Sequence, residues 1–127
     1  MKASYLVFGM ALLTANRGLA QAPNAACSPK VHLVFQVEKS VRPVADSAPG
    51  PRLTGTAERR PENLVQFVVD TTGSAEMASF QVLRAADSSL VRQLREQLPA
   101  RRFVPAEIKS CRVRQMYQTG VAPVRGQ

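Results

Sequence analysis

The sequence has little of what catalytic and metal sites are usually built from. Its 127 residues include two cysteines and a single histidine, His32, which are too few soft ligands for a structural zinc site. Carboxylates number only nine, and they are scattered along the chain. General acid–base or nucleophilic catalysis needs a converging set of such groups. We therefore expect no enzyme, no small-molecule substrate, and no bound metal or cofactor.

Aromatic residues are also scarce: five Phe, two Tyr and no Trp. The core should be small and the domain only moderately stable unless a cross-link supports it. The net charge of +8 would suit a nucleic-acid-binding protein, but Tyr117 is the one aromatic residue inside the basic last predicted strand that could stack on a base. We therefore expect no nucleic-acid partner. The excess of arginine could instead attract an acidic peptide or hold the protein at an anionic membrane surface.

No apolar run is long enough to cross a membrane, since a spanning helix needs about 20 apolar residues. The first apolar segment, residues 5–13, follows Lys2 and is interrupted at Asn16 and Arg17. The small residues of Gly18-Leu19-Ala20 then follow. This order is typical of a cleaved signal peptide over residues 1–20, with a retained membrane anchor as the alternative. We expect an exported, periplasmic protein associated with the cell envelope.

Export gives the two cysteines a role. An oxidising compartment permits a disulfide between Cys27 and Cys111. It would join the start of the mature chain to the beginning of the last predicted strand. The alternative is two unpaired thiols.

Residues 21–63 form an N-terminal segment and linker. An apolar run over residues 31–37 alternates from Leu33 onward, which indicates a possible extra strand. The rest, residues 38–63, is rich in proline and glycine. A segment of that length without regular structure is usually a linker or a binding loop.

Residues 64–124 carry the clearest pattern and are predicted to form one domain. Two β-rich runs, 64–69 and 76–83, flank Thr71-Thr72-Gly73 and predict a hairpin. Asp87 then precedes apolar residues at helical spacing, a pattern that ends at Pro99. A last strand is predicted from residue 111 to 119. The fold class is α+β, with a small antiparallel three-stranded sheet and one packed helix in the order strand, strand, helix, strand.

Alternation assigns the faces of the strands. Val65, Phe67 and Val69 of the first strand should face the helix, and so should Ala78, Phe80 and Val82 of the second. In the last strand Val113 and Tyr117 should point one way, whereas Arg112, Arg114 and Met116 should point the other. One side of the sheet would therefore be wet.

At these residues the chain resembles the C-terminal domain of the TonB energy transducers. Before the last strands, the resemblance rests on Gln66-Phe67-Val68-Val69-Asp70-Thr71-Thr72-Gly73, on the strand end Val82-Leu83 and on the helix closing in Leu98-Pro99. After the helix, it rests on Phe103-Val104-Pro105-Ala106 as an F-x-P-A motif and on Val113-Arg114-Gln115. It covers roughly half of the chain. The Tyr-Pro-x-x-Leu element that usually precedes the first strand is missing, with Pro51-Arg52-Leu53 near its place. The family's N-terminal anchor and proline-rich linker are missing as well, which leaves force transmission without its membrane contact.

The resemblance implies binding by strand addition. Such domains present the edge of a small sheet to an extended peptide of an outer-membrane TonB-dependent receptor. The matching edge here is the last strand, with the residues Arg112, Val113, Arg114, Gln115, Met116, Tyr117 and Gln118. The alternative function is a structural or assembly component of the envelope, whose edge pairs with another envelope protein or with a second copy as a homodimer.

Overall fold

A computed structural model describes residues 27–45, 49–56 and 59–124. The predicted signal peptide lies outside the described residues. The strands are β1 (Val31–His32), β2 (Arg42–Pro43), β3 (Arg52–Gly55), β4 (Asn63–Val69), β5 (Ala75–Ala85), β6 (Phe103–Val104), β7 (Ala106–Ile108) and β8 (Cys111–Ala122). The helix α1 covers Ser88–Gln97, and short 3₁₀ turns cover Val34–Gln36 and Leu98–Ala100.

The predicted hairpin is present as the antiparallel pair β4–β5. Its turn is held by the carboxylate of Asp70, whose Oδ1 accepts hydrogen bonds from Thr72 N at 2.9 Å, Thr72 Oγ1 at 2.6 Å and Ser74 N at 3.0 Å. Burial alone would raise the pKa of Asp70, but these hydrogen bonds and one from the Gly73 backbone together lower it below its usual value. The turn is therefore stabilised by the ionised carboxylate.

The predicted helix is confirmed together with its cap. Asp87 accepts from the backbone amides of Ser89 and Leu90, both at 3.1 Å, which satisfies two donors that the first helical turn leaves free. Helical spacing then places Leu90, Val91 and Leu94 on one buried face.

The core lies between this helix and one face of the sheet. As predicted, Val65, Phe67 and Val69 are fully buried. Phe67 packs edge-on against Phe103 and Tyr117, with ring centroids 5.6 and 5.7 Å apart. These contacts join β4, β6 and β8 into one apolar cluster.

The α+β class is confirmed, but the sheet is larger than predicted. It has six strands, in the order β1-β8-β4-β5 with β3 and β7 also paired to β8. It is mixed, because β1 runs parallel to β8 while the other pairs are antiparallel. A second, two-stranded sheet joins β2 to β6. Residues before the predicted domain thus supply three of the eight strands.

The possible strand over residues 31–37 is only partly present. Strand pairing is limited to Val31 and His32, and Val34–Gln36 instead turn as a 3₁₀ helix. The Gln36 side chain closes this turn by accepting from the Leu33 amide at 2.8 Å. A local side-chain hydrogen bond thus replaces the ladder that the alternation predicted.

The structure joins Cys27 to Cys111 by a disulfide, with their Cα atoms 5.7 Å apart. The bond fixes the chain just before β1 to the first residue of β8. It therefore holds β1 beside the strand with which it pairs.

Candidate protein-interaction site

The predicted site, residues 112–118, lies inside the sheet. On one side β4 pairs with β8 from Gln115 to Gly120. On the other side β1 pairs with Arg114 and Gln115, and β3 pairs with residues 120–122. The expectation that this stretch is an open edge is wrong over most of its length, because β7 pairs with Arg112 and Val113 and β1 pairs with Arg114 and Gln115.

Side chains fasten the N-terminal segment over β8. The guanidinium of Arg114 donates to the Pro29 carbonyl at 3.1 Å and forms two 2.7 Å hydrogen bonds with the Glu76 carboxylate. The carboxamide of Gln115, almost fully buried, accepts from the Val41 amide at 2.9 Å. Two of the predicted site residues thus hold the protein's own chain and are not presented to a partner.

A gap remains between β1 and β3. It lies along Met116–Gln118 and forms a pocket of about 400 Å³. The 3₁₀ turn Val34–Gln36 lies at the rim of this pocket. Leu33, Val34 and Phe35 there expose 44, 56 and 78% of their surfaces. Of the predicted edge, the segment Met116–Gln118 is therefore left uncovered by β1 and β3, and the rim of this gap is apolar.

Among the described residues, the longest edge strand of the sheet is β5. It pairs with β4 on one side, and no other strand within the described ranges pairs with it. Val82 and Leu83 are exposed by 48 and 46%. Sequence reasoning had placed Val82 in the core, on the face covered by the helix. The sequence did indicate that an apolar side chain would be exposed here. Val82 and Leu83 are adjacent, and adjacent residues of a strand cannot both face the core.

The direction in which the N–H and C=O groups of β5 point follows from its pairing with β4. The Val68 amide donates to Ser79 Oγ on β5 at 2.8 Å, so the even-numbered residues of β4 turn their backbone groups toward β5. Val65 consequently turns toward β8, and it lies directly opposite Val82. The N–H and C=O of Val82 therefore point away from the sheet, where an added strand would meet them.

The edge has few of the side chains that discourage pairing. Its sequence, AEMASFQVLRA, contains no proline or lysine and two charged residues, Glu76 and Arg84. Glu76 is engaged by Arg114. Arg95 of α1 lies over the Phe80 ring, 5.7 Å from its centroid, so positive charge lies beside the middle of the strand.

Within the described ranges, no three His, Cys, Asp or Glu side chains lie close enough together to hold a metal ion. No helix in the same part of the chain is long and apolar enough to cross a membrane. Comparison of the chain with protein families, with curated proteins and with solved structures gives no match.

Proposed function

We propose that the protein is an exported binding module of the cell envelope that receives an extended segment of a protein partner by strand addition. The observation that carries the proposal is the unpaired edge of β5, with its outward backbone groups at Val82. An added strand would gain main-chain hydrogen bonds there, and Val82 and Leu83 would contact alternate side chains of the partner.

Two register shifts locate the contact. The pairing of β5 with β4 slips between Leu64 and Val65 and again between Gln66 and Val68. Such bulges twist a strand and interrupt regular pairing. A partner strand would therefore be centred on the segment between them, at Gln81 and Val82.

The resemblance to TonB C-terminal domains supplies the class of partner, a periplasmic peptide of an outer-membrane TonB-dependent receptor. The proposed edge differs from the one that the resemblance implies, since β8 is covered over most of residues 112–118. The periplasmic location follows from the signal peptide predicted at residues 1–20. Force transmission is not part of the proposal.

The test compares three forms of the mature, oxidised protein in capture experiments with outer-membrane extracts. Val82→Pro removes an N–H that faces away from β4, so the sheet should tolerate it while strand addition is blocked. Val82→Ala is the matched control, which trims the side chain but keeps the donor. Circular dichroism first establishes that each variant folds.

Capture of a TonB-dependent receptor by the parent and by Val82→Ala, together with its loss in Val82→Pro, is the expected result. Equal capture by all three forms would refute strand addition at β5.

A second candidate function is self-assembly, favoured by the exposed Val82 and Leu83 on an edge without proline or lysine. Two copies pairing β5 to β5 would form a symmetric dimer. Sedimentation equilibrium distinguishes the two functions. A dimer that Val82→Pro dissociates favours self-assembly, whereas a monomeric parent excludes it.

A further inference from the structure

A second pocket, none of whose lining residues belongs to β5, has apolar walls and two arginines. Its volume is about 620 Å³, and it lies between β3, the end of β2 and the C-terminal residues after β8. The lining residues are Pro43, Val44, Ala45, Pro49, Gly50, Pro51, Arg52, Leu53, Arg101 and Val124. Arg52 and Arg101 are the charged members of this set, and none of the set is acidic.

Arg101 is buried to an unusual degree for an arginine, with 8% of its surface exposed. It directly follows the 3₁₀ turn Leu98–Ala100. One nitrogen of its guanidinium, Nη2, donates to the carbonyls of Pro51 and Pro49. The Nε atom is buried and has no hydrogen-bond partner. The two carbonyls therefore satisfy only part of the guanidinium.

No carboxylate among residues 27–45, 49–56 and 59–124 pairs with Arg101; the ion pair found there joins Arg114 to Glu76. Burial lowers the pKa of Arg101, yet a guanidinium remains protonated at neutral pH. Among the described residues, the site thus holds a buried positive charge without a counter-charge, which is costly unless an anion completes it.

We propose that this pocket binds a carboxylate carried on a small apolar body, namely the C-terminal carboxylate of a peptide. A carboxylate matches the planar donors of a guanidinium. The apolar walls, including Val44, Leu53 and Val124, would contact the side chain of the last residue of the peptide. A phosphate dianion fits less well, because the apolar walls would remove water from its remaining charged oxygens without replacing those hydrogen bonds.

Arg52 lies at the mouth of the pocket. It is exposed, and its Nε donates to the Pro123 carbonyl at 3.2 Å. Its charge would attract the carboxylate before Arg101 receives it. No residue of β5 lines this pocket, so peptide capture here and strand addition at β5 would use different residues.

The test uses isothermal titration calorimetry of the mature, oxidised protein with acetyl-Ala-Leu-Val as the free acid and as the C-terminal amide. The free acid should bind at least tenfold more tightly than the amide. Inorganic phosphate serves as the third titrant and should bind more weakly than the free acid. Equal binding of acid and amide, no binding of either, or tighter binding of phosphate would overturn the proposal.

Variants locate the site. Arg101→Met should abolish the preference for the acid, whereas Arg112→Met, which removes the same charge from an exposed position of β8, should preserve it. If Arg101→Met does not fold, Arg52→Met provides the comparison, with an expected loss of at least threefold in affinity for the acid. An unchanged preference in the folded pocket variant would contradict the assignment.

Asp46, which lies outside the described residues, is the nearest carboxylate in sequence to Ala45 of the lining. Asp46→Asn tests whether the chain supplies its own anion. An affinity for the free acid within threefold of the parent supports an external ligand. A rise of tenfold or more would show that Asp46 competes for Arg101 and would overturn the proposal.

Discussion

Removing the disulfide should cost the protein a large part of its stability. Cys27 and Cys111 are 84 residues apart, so the bond closes a loop that contains most of the residues that the structure describes. The loss of unfolded-state entropy for a loop of this size corresponds to about 4.5 kcal/mol at 25 °C in the chain-entropy model. Domains of this size have a total stability of about 5–15 kcal/mol.

The perturbation is the double variant Cys27→Ser/Cys111→Ser, compared with the oxidised parent by urea unfolding followed with circular dichroism. We expect the free energy of unfolding to fall by about 2–4.5 kcal/mol. A fall below about 1 kcal/mol would refute the reasoning, since the cross-link would then restrict the unfolded chain far less than its length requires.

The same variant tests whether the disulfide keeps β1 on the sheet. β1 pairs through only two residues, Val31 and His32, too few to hold a strand in place unaided. Met116 lies opposite Val68, whose amide faces β5, so the backbone of Arg114, two residues before Met116, faces β1. Hydrogen exchange at the Arg114 amide should be slow in the parent and fast in the variant. Equal protection in both would show that β1 stays paired without the bond.

Three further changes test the fold. Leu94→Ala empties a fully buried position of α1 and should lower the free energy of unfolding by about 2–5 kcal/mol in urea unfolding. Gly73→Ala places a Cβ 2.2 Å from the Phe103 carbonyl oxygen at a φ of +88°, so a loss of about 1–3 kcal/mol is expected, and an unchanged midpoint would contradict it. Asp70→Asn should destabilise most above about pH 4, where the unfolded carboxyl is ionised. Because the folded pKa of Asp70 is lowered, the difference from the parent should shrink as pH falls through that folded value, and a pH-independent difference would refute the role of the charge.

The hairpin and the helix could be predicted because their signals are local. The carboxylate of Asp87 and the apolar spacing after it specify the helix within a dozen residues. The turn after β4 is likewise specified by Asp70 and the glycine that follows it. Most of the contacts that define the turn after β4 and the start of α1 are made between residues close together in the sequence.

The pairing of β1 and β3 with β8 could not be predicted from their own residues. The alternation over residues 31–37 indicated a strand there but not its partner, and β3 has four residues, too few to show a period. Their pairing is a long-range contact, helped by the disulfide. This is why the predicted site became an inner strand.

The exposure of β5 was missed for a related reason. Alternation indicates which side chains share a face but not whether anything covers that face. The helix has ten residues, about 15 Å in length, and it leaves Val82 half exposed. The burial of Arg101 had no signal in the sequence, since it depends on the approach of the loop at Pro49–Pro51.

The most direct test of the proposed function is amide hydrogen exchange of the mature, oxidised protein, with and without a peptide derived from the captured receptor. Strand addition at β5 predicts that exchange at the Val82 amide slows on binding, while that of the Gln81 amide, which already faces β4, changes little. Protection that appears along Met116–Gln118, with none at Val82, would contradict the account and place the partner in the gap of β8 instead.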